Sequence, residues 1–171
     1  MNTLLTAPDI EYLRGQQMKL DEDIISKNGI THDEWMDDLH TNHIIALRVE
    51  VAEFVNCAYD NWKYWKSKPI DRDRIIDEAV DVIHFLMLMW NKRSETIDSY
   101  GILLRVQWYL EREKGSNKRV LLKMLSTDNL ELLMSYLLYV LNDYNFTTQD
   151  ILGAYNRKNK VNFERLNSET Y

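Results

Sequence analysis

The chain has 171 residues, of which 45% are hydrophobic and 28% charged, as in a soluble globular domain. Its net charge of −6 disfavours nucleic acid as a partner. The single cysteine excludes an intramolecular disulfide and a cysteine-based zinc site, and no apolar run is long enough to span a membrane. We therefore expect one domain over residues 1–171, located in the cytoplasm, or in the host cytoplasm if the chain is viral.

The first half of the chain reads as helices separated by short connections. Thr6 and Asp9 resemble a capping box, and they precede a helix predicted over residues 9–27. Residues 31–40 predict a short helix or turn around Trp35. Longer helices are predicted at 41–59 and 71–93, joined by an aromatic and cationic connector at 61–69.

The second half continues the same pattern. We predict a helix at 97–112, a loop at 113–118, and a helix at 129–144 that Asp128 and Glu131 would cap. Thr147 and Asp150 would begin the last helix, which continues to about residue 166. With few glycines and prolines and no sustained alternation of polar and apolar residues, the chain predicts an all-α bundle.

Two carboxylate pairs stand out, Glu50 with Glu53 and Glu78 with Asp81. Each pair has the spacing that places both acids on one helix face, and the neighbours are mostly apolar. Buried carboxylates need neutralising, and oxygen ligands without cysteine favour Mg²⁺ or Mn²⁺. The alternative is that the four acids lie on the surface. A di-iron site is a further alternative, because Asp81 and His84 form a carboxylate-x-x-His motif, but this motif occurs once where such sites use two.

The last helix carries a stripe of polar and cationic residues: Tyr155, Lys158, Asn162 and Arg165. Such a set can hold a polyphosphate, although a solvated basic face is the simpler interpretation. In the first helix, Gln17 and Asp21 interrupt an apolar stripe and are either a half-exposed boundary pair or ligands. The connector with Trp62 could hold a flat base or merely close the end of the bundle.

These motifs together resemble the dimeric all-α dUTPases, which are related to phage dCTPase/dUTPase enzymes and to MazG-type nucleoside triphosphate pyrophosphatases. The motifs that carry the resemblance are Gln17-x-x-Leu20-Asp21, Glu50-x-x-Glu53 with Asn56, Trp62-x-x-Trp65-Lys66, Asp77-Glu78-Ala-Val-Asp81-x-x-His84-Phe85 and Tyr155-x-x-Lys158-Asn159-x-x-Asn162-x-x-Arg165. The resemblance implies an all-α bundle of this pyrophosphatase type, with two metal-binding helices facing each other. It also implies a homodimer with shared active sites.

The implied reaction is the Mg²⁺-dependent hydrolysis of dUTP to dUMP and pyrophosphate, with two or more metal ions per site. The resemblance assigns the metal to Glu50, Glu53, Glu78 and Asp81, with Glu50 or Glu53 also activating the water. It assigns the phosphates to Tyr155, Lys158, Asn162 and Arg165. It assigns the base and sugar to Gln17, Asp21, Asn56, Trp62 and His84.

Asp21 is a departure from the family pattern that bears on the choice of base. Asp21 stands where many relatives have Asn, and an ionised carboxylate only accepts hydrogen bonds. Because cytosine presents an amine where uracil presents a carbonyl, hydrolysis of dCTP, or of both nucleotides, is an alternative. A non-enzymatic helical interaction protein on the same scaffold is a second alternative.

Overall fold

The computed structural model describes residues 4–93, 96–112 and 117–168. Within these ranges the chain forms seven α-helices and no strand, which confirms the all-α prediction. No helix among them has the length and apolarity required to cross a membrane. The helices are α1 (Ala7–Asn28), α2 (His40–Cys57), α3 (Arg72–Arg93), α4 (Ser99–Arg112), α5 (Asn117–Ser126), α6 (Leu130–Asp143) and α7 (Thr148–Leu166).

Local sequence signals set the ends of the first and last helices. Both predicted capping boxes are present: the hydroxyl of Thr6 accepts from the Asp9 amide at 3.3 Å, and Thr147 and Asp150 make the same exchange before α7. Gly29 ends α1 in the left-handed conformation, with φ at 63°, which costs glycine little. These caps define both ends of α1 and the start of α7.

The α3 helix lies at the centre of the bundle and packs against α1, α2, α6 and α7. Its side chains are buried on most sides, and Leu86 and Met87 are fully enclosed, as expected for a helix that is apolar around its circumference. Helix α6 is similarly buried and packs against α4 and α5. The carboxylates of α3 are therefore held on a central, extensively buried helix.

The structure differs from the sequence-based prediction in two places. Helix α5 was not predicted, and it begins at Asn117 inside the predicted loop; residues 113–116 lie outside the described residues. The predicted cap of α6 is wrong, because Asn129, not Asp128, accepts from the Leu132 amide at 2.8 Å. Asp128 forms an ion pair with Arg48 instead.

The connections of the first half agree with the prediction in kind. Residues Glu34–Asp38 form a π-helical turn with Trp35 buried, where a short helix or turn was predicted. Helix α2 ends at Cys57, and a 3₁₀ turn, Tyr59–Asn61, leads into the connector. The connector thus crosses the end of the bundle between α2 and α3.

Candidate active site

A pocket of about 590 Å³ lies between α1, α3 and α7, with one residue of α2 at its edge. Acidic side chains line one part of it and cationic side chains another. The polar and charged lining residues are Gln17, Glu50, Asp77, Asp81, His84, Arg157, Lys158, Asn162 and Arg165. Apolar residues of α1, α3 and α7 complete the wall, which is the usual make-up of a small-molecule site.

Three of the four predicted metal ligands meet at the edge of this pocket, and two of them, Glu50 and Asp81, line it. Glu50 of α2 and Glu78 and Asp81 of α3 each place one carboxylate oxygen so that all three lie within 4.8 Å of one another. All three side chains are partly buried. The packing of α2 along α3 brings the two acidic motifs together.

Burial and mutual repulsion raise the pKa values of carboxyl groups in this cluster. Burial raises the pKa of Glu50 to about 7, with further increases from the charges of Asp81, Glu53 and Glu78. Burial also raises the pKa of Asp81, despite a hydrogen bond from Lys158. A divalent cation would offset this repulsion, and a set of carboxylate oxygens is what Mg²⁺ and Mn²⁺ prefer. The triad could therefore hold a metal ion.

Glu53, the fourth predicted ligand, is not part of this triad. Its side chain is exposed, one helical turn beyond Glu50. Arg74, which was not predicted as part of the site, has its Nε 3.1 Å from Glu78 Oε1. The acids of α3 are thus partly neutralised by the protein itself.

Helix α7 brings cationic side chains to the opposite wall. Lys158 forms an ion pair with Asp81, and Arg157 pairs with Asp77 at 2.7 Å. Asn162 and Arg165 also line the pocket, as the stripe predicted. Arg157 was not predicted, because it lies outside the periodic stripe. The one sequence feature that could have indicated it is its position next to Lys158.

Tyr155 lies behind the pocket and not in it. It is fully buried, and its hydroxyl donates to the Leu13 carbonyl at 3.2 Å. Its ring stacks on that of His84, with centroids 4.1 Å apart and an angle of 19°. Burial raises its pKa, so it keeps its proton. Tyr155 therefore does not line the pocket with Lys158 and Arg165, as a phosphate ligand would have to.

Among the residues predicted to bind the base, Gln17 and His84 line the pocket, and Asp21 lies directly behind them. Gln17 and Asp21 are 3% and 5% exposed, so the boundary-pair interpretation is wrong. His84 is not among the residues whose ligand atoms meet in the carboxylate cluster, and its Nδ1 faces Gln17 Oε1 at 2.7 Å. This arrangement disfavours a di-iron site.

Asn56 and Trp62 do not line the pocket. The Asn56 amide oxygen accepts from Lys63 at 2.6 Å, on an exposed surface. Trp62 is half-buried, and its indole nitrogen donates to the Val55 carbonyl at 2.9 Å. These contacts favour the interpretation in which the connector closes the end of the bundle.

A helical bundle that brings carboxylates and cationic side chains to the same pocket is typical of proteins that bind phosphates together with a metal ion. The model of a protein family described as dUTPase matches residues 9–171. The chain therefore belongs to the dUTPase family, which confirms the resemblance seen in its motifs. No curated protein matches the chain. Membership of the family supports an enzyme of the nucleotide pyrophosphatase class.

Proposed function

We propose that the protein hydrolyses dUTP to dUMP and pyrophosphate with Mg²⁺ as cofactor. The observation that carries the proposal is the carboxylate triad, of which Glu50 and Asp81 line the same pocket as Lys158 and Arg165, in a chain of the dUTPase family. Water attacks the α-phosphorus, the bond to the bridging oxygen of the β-phosphate breaks, and pyrophosphate leaves. The Mg²⁺ ions would neutralise phosphate charge and lower the pKa of the bound water.

Each pocket residue has a role in this proposal. Glu50, Glu78 and Asp81 hold the metal, and Glu50 or Glu53 accepts the proton of the attacking water. Glu53, although exposed, lies one turn from Glu50 and keeps its proposed place as a fourth carboxylate. Lys158, Asn162 and Arg165 bind the phosphates, since cationic and amide groups donate to phosphate oxygens. Gln17 and His84 face the base, for which they provide polar groups at the buried end of the pocket.

A pyrophosphate-release assay tests this function. We expect the wild type to hydrolyse dUTP only with a divalent cation, and faster than dCTP or dTTP. Glu50→Gln and Glu78→Gln remove ligand charge at constant size, and we expect each to lower kcat by about 100-fold or more. Glu11→Gln, an exposed change on α1, is the matched control.

The outcomes separate the alternatives. Faster hydrolysis of dCTP would replace the first assignment by a dCTPase. Equal rates would indicate an enzyme that acts on both pyrimidines. Absence of hydrolysis of any nucleotide by the wild type with Mg²⁺ or Mn²⁺ would favour the interaction protein on the same scaffold.

We also propose that the protein acts as a cytoplasmic homodimer. The exposed face of α2 supports this, because Ile45 is 58% and Val49 47% exposed, one turn apart on the helix that carries Glu50. Sedimentation analysis of the wild type and of Ile45→Asp tests it. A monomeric wild type would contradict the proposal.

A further inference from the structure

Three buried side chains form a hydrogen-bonded row at the inner end of the pocket: Asp21 and Gln17 of α1 and His84 of α3. Gln17 Nε2 donates to Asp21 Oδ1 at 2.7 Å, and Gln17 Oε1 lies 2.7 Å from His84 Nδ1. Each residue is at most 5% exposed. Asp21 Oδ2 and His84 Nε2, at the ends of the row, have no hydrogen-bond partner within the part of the chain that the structure describes.

The chemistry of these groups determines where the hydrogens lie. Gln17 turns its amide nitrogen to Asp21 and its carbonyl oxygen to His84. Asp21 Oδ1 can accept this hydrogen bond whether the carboxyl group is ionised or carries its proton on Oδ2. A carbonyl oxygen only accepts, so the hydrogen in the next bond belongs to His84 Nδ1. Burial, with a smaller effect of Lys158, lowers the pKa of His84 to about 3, so the imidazole is neutral and has only that hydrogen. His84 Nε2 therefore offers a lone pair.

The ring of His84 is held in this orientation from both sides. Its face stacks on Tyr155, which is itself fixed by the bond from its hydroxyl to the Leu13 carbonyl. Turning the imidazole over would break the bond to Gln17. His84 lines the pocket, and its Nε2 is buried without a hydrogen-bond partner among the residues described. A buried unpaired nitrogen is costly, so a ligand group that donated to Nε2 would satisfy it.

We propose that Asp21 selects the base without touching it: through Gln17 it holds His84 in the tautomer whose Nε2 accepts a hydrogen bond from a ring N–H of the base. The inference rests on the proposed function, since it concerns the base of the same substrate. Uracil has such an N–H at N3, between two carbonyl groups, whereas the N3 of cytosine is an acceptor, and two facing lone pairs repel. Asp21 is thus a positioning residue that favours uracil, and His84 makes the specific contact.

The tautomer of His84 can be measured by NMR without any substrate. We would record long-range ¹H–¹⁵N spectra of the imidazoles at about pH 8, where Asp21 is largely ionised, and assign His84 by the loss of its signals in His84→Gln. We expect a protonated Nδ1 and an unprotonated Nε2 in the wild type. A protonated Nε2 would overturn the proposal, whatever the enzyme hydrolyses.

Two variants of Asp21 test the direction of the effect. Asp21→Asn keeps an oxygen that accepts from Gln17, so we expect the tautomer to be unchanged. Asp21→Leu removes the acceptor at similar size and should yield a mixture of tautomers. Asp23→Asn, an exposed change two residues along α1, is the matched control and should leave the spectrum unchanged. An unmixed Nδ1–H tautomer in folded Asp21→Leu would also overturn the proposal.

Kinetics connect the tautomer to specificity. The ratio of kcat/KM for dUTP to that for dCTP should stay within about twofold in Asp21→Asn and fall about tenfold in Asp21→Leu, the equivalent of one hydrogen bond. The fall should appear mainly in KM for dUTP. An unchanged ratio in a variant with mixed tautomers would refute the link. If the wild type hydrolyses neither nucleotide, the proposed function fails, while the NMR result still decides the state of His84.

Discussion

Replacing Asp21 with Asn is expected to stabilise the protein at neutral and alkaline pH. The Asp21 side chain is 5% exposed, and its Oδ2 has no hydrogen-bond partner among the residues described. Burial raises its pKa from 3.8 to about 7, although interactions with the side chains of Gln17 and Asn91 act in the opposite direction. The fold thus favours the protonated carboxyl, which an Asn amide matches in size and charge.

The sign and size of the effect follow from the two pKa values. The pKa of Asp21 is higher in the folded protein than in the unfolded chain, so protonation of this carboxyl stabilises the fold. The stabilisation is complete below pH 3.8 and is lost as the pH rises through about 7. A difference of about three pKa units corresponds to at most about 4 kcal/mol. Asn does not titrate. The advantage of Asp21→Asn should therefore grow between these pH values and level off above them.

Urea unfolding at a series of pH values from about 5 to 8 measures this difference. Groups that titrate equally in both proteins cancel in the comparison, so the difference in the free energy of unfolding reports Asp21 itself. Asp23→Asn should show no such dependence, because Asp23 is exposed. A stability difference between Asp21→Asn and the wild type that stays constant over the whole range would refute the argument from burial.

Three further predictions concern stability. Phe54→Ala should lower the free energy of unfolding by about 3–5 kcal/mol in urea, because the ring is fully buried and its loss leaves a cavity. Asn129→Ala should lower the free energy of unfolding by about 1 kcal/mol, because it removes the cap of α6. Asp128→Ala, at an exposed ion pair, should produce no measurable change. A larger loss of stability in Asp128→Ala than in Asn129→Ala would show that Asp128 is the cap after all. Below pH 6.5 His84 should contribute a loss of stability, because in the unfolded chain it takes up a proton that the folded residue resists down to a pKa of about 3. His84→Gln should therefore be more stable relative to the wild type at pH 5 than at pH 8 in urea unfolding.

The elements with strong local signals could be predicted from the sequence. Thr6 and Thr147 begin α1 and α7 as expected, since a capping box depends only on residues three apart. Helix α5 was missed because it is only ten residues long and begins at the last residue of a Gly-Ser-Asn sequence that is typical of a loop. The cap at Asn129 was missed because Asp128 fits the same motif, and only the distant partner Arg48 distinguishes them.

The sequence motifs predicted most residues of the site, but not which side chains of each helix face the pocket. Spacing predicted that Glu50, Glu78 and Asp81 could meet, and they do. Tyr155 and Lys158 are three residues apart, which rotates them by roughly 60° around a helix, so the first faces the core while the second faces the pocket. The sequence pattern does not resolve that rotation, because it depends on how α7 is turned against α1 and α3.

The ion pair between Lys158 and Asp81 makes the two walls of the pocket interdependent. Lys158 serves as the internal counter-ion of a carboxylate that a metal would also bind. A cation arriving at Asp81 would release the ammonium group for an anion, and an anion that captured Lys158 would free Asp81 for a cation. By thermodynamic linkage each ion would raise the affinity for the other by the same factor. Such an arrangement favours uptake of metal and polyphosphate as a pair over uptake of either alone.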